Sequence, residues 1–298
     1  MLRTGSLRLG SVKSIEIDVH ATWLIVFGLL VYWLRSGYVV ERAPDLAPTL
    51  SWIVSAVGAL VLFASVLTHE LAHSLVALRS GLPIRRITLF IFGGIAHMER
   101  EPGGPGVELR MAAAGPLASL AIAAVFAFMR FVVLKGNSAA APALVTEYAA
   151  YANMVLAGFN LIPGYPLDGG RVLRAVIWKA SGNLVKATTI AATIGRVFGL
   201  ALVFVGVTLS VALEAPAFLW PVLIGAFLER LAFFSARRTR MVHLGRMGEG
   251  LAPGVVSMTP YPEYHGDANG WQAGLVAGDR HPSDHERGGA HSAEEAEI

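Results

Sequence analysis

Six stretches of the sequence, near residues 21–38, 51–78, 110–134, 143–161, 197–213 and 217–234, approach the 17 to 25 apolar residues that a helix needs to cross a bilayer. Only Glu-Ala-Pro separates the fifth from the sixth, a connection short enough for an antiparallel pair. The expected fold class is therefore an all-α polytopic membrane protein with about six transmembrane helices. Composition agrees: 15% of the 298 residues are charged and 54% are hydrophobic, where a soluble domain carries roughly a quarter charged residues. Mean hydropathy is +0.57.

Charge placement says more than charge total. A formal net charge of +3, from 24 Lys and Arg against 21 Asp and Glu, gives no reason to expect nucleic acid as a partner, and the lipid bilayer is the expected surroundings. Lys and Arg near the span ends set orientation. One side collects Arg3, Arg8, Lys13, Arg79, Arg85, Arg86, Arg100, Arg110, Arg171, Arg174, Lys179, Lys186, Arg237, Arg238 and Arg240, whereas the other has Arg35, Arg42 and Lys135 with Arg130 near it. A multi-pass protein of the cell membrane with both termini cytoplasmic is expected. Residues 1–20 read as a cytoplasmic N-terminal segment, 21–240 as the membrane domain, and 241–298, rich in Gly, His, Asp, Glu and Pro, as a disordered polar tail.

Two segments between spans depart from helix-in-lipid. ITLFIFGGIA, within residues 87–96, is β-branched and aromatic with a glycine pair, so a short strand or hairpin at or in the membrane is expected between the second and third spans. Such backbone is tolerated there only when protein or a water-lined space shields it. Residues 172–196 are mixed and read as an interfacial amphipathic piece.

The second span ends in LTHELAHSL, residues 67–75. An ionisable side chain in the apolar core costs at least about 2.5 to 3.5 kcal/mol, which makes His69, Glu70 and His73 functional candidates. Positions i and i+4 on a helix lie about 40° apart, so both imidazoles can hold one ion. If the helix starts near Ser51, His69 lies about 27 Å along it, in the cytoplasmic part of the bilayer. There are no cysteines, so a metal site must use His, Asp or Glu. A catalytic zinc takes three protein ligands and leaves one position open, and Asp168, in FNLIPGYPLDGGR, is the expected third.

HELAH on a transmembrane helix, FIFGGIA after it, AAAGPLASL opening the third span and FNLIPGYPLDGGR beyond the fourth resemble the site-2 protease family of intramembrane zinc metalloproteases over residues 8–235. The resemblance implies a core of the second, third and fourth spans, one Zn2+ per chain held by His69, His73 and Asp168, and Glu70 as general base. It assigns substrate binding to Asn160, ahead of the LDG element, and to the strand residues Ile87, Phe90, Phe92, Gly93 and Gly94. Capping of the fourth span is the plain alternative for Asn160. His97 reads as a loop residue in a place where an uncharged polar side chain was expected, and the face carrying Gly115, Ala118 and Ser119 reads as a close-packing surface for another helix.

The expected function is an intramembrane zinc endopeptidase acting on a single-span membrane protein, such as a regulatory protein, in or near its transmembrane segment. The alternative is a divalent-metal transporter using the same His, Glu and Asp groups.

Overall fold

The computed structural model describes residues 6–13, 15–90, 93–98, 102–136, 140–215 and 219–249. Strands β1 (Ser6–Val12) and β2 (Ile15–His20) precede α1 (Thr22–Trp33), which widens into a π-helical stretch, Leu34–Val39, and ends in α2 (Val40–Arg42). Then come α3 (Pro48–Arg79), β3 (Ile84–Phe90), β4 (Gly93–Met98), α4 (Pro105–Phe128) with a π-helical end at Met129–Val133, α5 (Ala141–Asn160), α6 (Asp168–Ser181), α7 (Leu184–Ala212) and α8 (Leu219–Glu249). Among the described residues five helices are long and apolar enough to cross a bilayer: Thr22–Arg42, Pro48–Arg79, Pro105–Val133, Leu184–Ala212 and Leu219–Arg237. The fold is thus an α-helical multi-pass membrane protein with a small sheet. Helix α5 occupies the fourth expected span; it is diluted by Thr146, Glu147, Asn153 and Asn160 and packs on α3 and α4.

The expected strand segment forms β3 and β4, but the sheet is larger. It has four strands in the order β1-β2-β3-β4, with β2 parallel to β3 and the other pairs antiparallel. Ile15, Ile17 and Val19 alternate with Glu16, Asp18 and His20 in β2, a period-two signal of a half-buried strand that the hydropathy of the neighbouring spans masks. The three apolar residues are buried, while Glu16 pairs with Arg8 at 3.2 Å and Asp18 with Arg86 at 3.5 Å. The N-terminal segment is therefore structured from Ser6. The parallel β2–β3 connection runs out along α1 and back along α3, which places the sheet at the end where α1 starts and α3 finishes.

Two further boundaries differ from the sequence reading. Residues 184–196 belong to the long helix α7 and not to an interfacial piece; α6 alone is the short amphipathic helix. The break between them is local chemistry: Gly182 adopts the left-handed conformation, φ 66°, which costs glycine little, and Asn183 Oδ1 caps α7 by accepting from Lys186 N at 2.9 Å. Helix α8 continues past residue 240 to Glu249, and residues 250–298 of the expected polar tail lie outside the described residues.

Helices here approach closely because lipid supplies no hydrophobic drive between them and van der Waals contact must do so. On α3, Ser51, Ser55, Gly58, Ala59 and Ser65 are buried, and Gly58 faces the Tyr148 ring of α5. Asn153 of α5 donates to Ser65 Oγ at 3.0 Å. Gly199 of α7 and Gly225 of α8 each bring one helix backbone against the other.

A buried ion pair ties α4 to α6. Arg174 Nε donates to Glu108 Oε1 at 2.7 Å, with its Nη2 on the same oxygen; Glu108 is fully buried. Removing one partner of such a pair leaves the other charged and dehydrated, a loss of about 3–5 kcal/mol. Arg174→Ala is expected to lower the thermal melting midpoint in detergent strongly, and Arg171→Ala, three residues away and partly exposed, far less.

Candidate metal centre

Two histidines from α3 and one aspartate from the first residue of α6 meet although about a hundred residues separate them. His69 Nε2 and His73 Nε2 each lie 3.1 Å from Asp168 Oδ2, and all three residues are buried. Their ligand atoms lie within 4.8 Å of one another. A tetrahedral site with bonds of about 2.0–2.1 Å has edges of about 3.3 Å, so the spacing suits a shared zinc ion.

The far side of each ring is already held. His73 Nδ1 donates to the Met111 carbonyl at 2.6 Å; a carbonyl only accepts, so the neutral imidazole presents its Nε2 lone pair towards Asp168. His69 Nδ1 is held by Ser119 Oγ at 2.9 Å. Metal-binding imidazoles are oriented in this way, the second nitrogen fixing tautomer and ring plane. Lone pairs facing a carboxylate oxygen repel unless a cation lies between them. The donor set therefore fits a divalent metal ion.

Gly115 supplies the space. A Cβ built there would meet Nε2 of both His69 and His73, and so would fill the centre of the donor set. Met111, Gly115 and Ser119 stand four residues apart on one face of α4, one giving a carbonyl, one an absence and one a hydroxyl. The helix-packing reading of Gly115 and Ser119 holds, since this face packs on α3, and the groups it meets there are the imidazoles. A serine at i+4 from a glycine within an apolar span was the available signal.

Asp168 is positioned by the PLDGG turn. Gly169 has no room for a side chain against the Leu161 and Ile162 carbonyls, nor Gly170 against Gly164 and Tyr165, so the 161–167 loop lies directly on the start of α6. Tyr165 N donates to the Ala191 carbonyl of α7 at 3.0 Å. At the helix N-terminus the Asp168 carboxylate gains from the macrodipole, and Arg171 approaches its other oxygen at 3.9 Å.

The remaining candidates divide. Glu70 sits beside His69, and a Cβ on Gly94 would meet its Cγ, so β4 backbone lies directly on the glutamate. Gly93 pairs with Phe90 and Gly94 with Leu89. Ile87 is core, wholly buried with Ile15, Ala77, Ile84 and Met111, and β3 is paired on both edges, so the free edge belongs to β4. Phe92 lies outside the described residues. His97 is in β4 opposite Arg86 and not in a loop, its side chain outside the described ones. Asn160 Nδ2 donates to the Leu156 carbonyl at 3.0 Å, back along its own helix. If the Gly115 gap is the ion's place, Gly115→Ala should bind less than a tenth of the zinc bound by wild type, on the order of the loss from a ligand substitution, with helix content unchanged; metal analysis of the purified protein checks it.

Comparison with known proteins gives the same picture. Residues 57–202 match peptidase family M50. The chain is 37% identical to sll0528 of Synechocystis sp. over 79% of its length and 61% of the relative's. It is 37% identical to "Zinc metalloprotease MJ0392" of Methanocaldococcus jannaschii over 67% of its length and 54% of that protein's. The chain thus spans less than two thirds of the length of each of these two relatives. The solved structure titled "Site-2 Protease from Methanocaldococcus jannaschii" aligns with a TM-score of 0.51 at 31% identity, across 78% of this chain and 95% of that one. With sequence, fold and donor set in accord, this chain belongs to the site-2 protease family, peptidase family M50.

Proposed function

We propose that the protein is an intramembrane zinc endopeptidase of the cell membrane, with both termini cytoplasmic, that hydrolyses a peptide bond in or near the transmembrane segment of a single-span protein. The observation that carries this is the convergence of His69, His73 and Asp168 with Glu70 alongside and β4 backbone against it. A bound zinc ion supplies Lewis acidity that acidifies the attacking water and polarises the scissile carbonyl.

The chain's own residues supply the rest. Ser119 and the Met111 carbonyl keep the imidazoles aimed at the centre, and Arg171 steadies the Asp168 carboxylate. Glu70 takes the proton of the attacking water and returns it to the leaving amine. A substrate helix hides its peptide bonds, so the stretch to be cut must first become extended. Among the described residues no strand pairs with the outer edge of β4, which suits that edge to strand addition, and the contact between Gly94 and Glu70 brings it next to the base. Release of a soluble regulatory protein is the expected outcome.

A divalent-metal transporter must let its ion go, whereas here both rings are locked by hydrogen bonds on their second nitrogens. Membership of a peptidase family also argues for hydrolysis.

Glu70→Gln is expected to keep one zinc per chain and to lower kcat on a single-span reporter at least about 10²-fold, the lower end of general-base contributions. Retained cleavage in that variant would refute the assignment. Gly94→Ala, which pushes on Glu70 Cγ, is expected to reduce kcat by about tenfold or more through misplacement of the base, with zinc content intact; single-turnover cleavage and metal analysis measure the two separately.

A further inference from the structure

An apolar groove of about 340 Å³ opens between the sheet, α1 and α3, and both of its walls lead towards Glu70. On the helix side Leu60, Phe63 and Leu67 line it; with Glu70 they follow the three- and four-residue spacing of one helix face. On the sheet side Leu7, Val19 and Leu89 line it. These three are register partners in a single row across β1, β2 and β3, and the next member of the row is Gly94. Residues directly opposite one another in a sheet share a face, and at Gly94 that face is occupied by the Glu70 side chain. The groove, with its mouth at Leu24 and Leu60, 60% and 52% exposed, thus ends at Leu67 and Leu89, one helical turn and one register step short of the residue proposed as general base.

We propose that this groove is the binding site for the apolar side chains that flank the scissile bond in the substrate's own transmembrane segment, and that it selects where along that segment the cut is made. The inference rests on the endopeptidase reading and adds the substrate's route and contacts. The groove's lining is apolar apart from His20 and the Trp23 indole, which suits the apolar side chains of a transmembrane segment.

The absence of cysteine allows single cysteines to be introduced one at a time. In full-length, zinc-loaded E70Q protein, L24C at the groove mouth is expected to form a disulfide with a single-span reporter that carries one cysteine about four or five residues from its scissile bond, the reach of an extended chain along the roughly 15 Å from Leu60 to Glu70. F204C on α7, 73% exposed, is expected not to do so. No crosslink at L24C, or equal crosslinking at both sites, overturns the proposal. In protein with Glu70 intact, Ala64→Trp narrows the groove from an exposed position on α3. It should raise KM for the reporter at least about tenfold while leaving kcat/KM for a short soluble peptide without the apolar flank within about twofold of wild type. Unchanged reporter cleavage, or equal loss on both substrates, overturns the proposal. Because the crosslink is read in a variant lacking the base, wild-type protein that cuts neither substrate would sink the endopeptidase reading while leaving the crosslinking result standing.

Discussion

Two imidazoles and a carboxylate packed into an apolar bundle at 3.1 Å set the terms for everything around them. Each is costly to dehydrate alone. Their Nε2 and Oδ2 atoms all face inward, so a cation at the centre offsets the repulsion and makes the cluster stable. The surrounding helices are arranged to keep that geometry and no other. Helix α4 gives a carbonyl, a hydroxyl and a missing side chain along one face, and the Glu108–Arg174 pair fixes the helix that carries Asp168 against it.

Glycine does the positional work where backbone must approach backbone. Gly169 and Gly170 let the 161–167 loop lie on the start of α6, and Gly195 of α7 packs on the Tyr165 carbonyl. The same device at Gly94 places a strand on Glu70. In lipid, where burial of apolar surface gives helices little reason to associate, such contacts are also what holds the bundle together.

The sheet links this centre to a peptide substrate. Its inner strands are satisfied on both edges, and β4 is left with an outer edge at the point where the sheet meets Glu70. One register row, Leu7–Val19–Leu89–Gly94, joins that edge to an apolar groove. Backbone recognition and side-chain selection would then act from two sides of the same glutamate.

Much of this was legible in the sequence. Apolar run length located the spans Thr22–Arg42, Pro48–Arg79 and Pro105–Val133 to within about five residues, and the start of α8, because hydropathy is a one-dimensional property of a span. His69, Glu70 and His73 stood out because charge in an apolar run demands a reason, and Asp168 because glycine and proline crowd around it. What pairs or packs across the chain was not legible. The pairing of β2 with β3, the burial of Ile87 against Ile15, the service of Gly115 and Ser119 to the imidazoles and the Glu108–Arg174 pair all join residues 42 to 72 positions apart. Composition names the groups that need partners; only the three-dimensional fold decides which distant atom satisfies each, since hydrogen bonds and steric fit act over a few ångströms of space and are blind to separation along the chain.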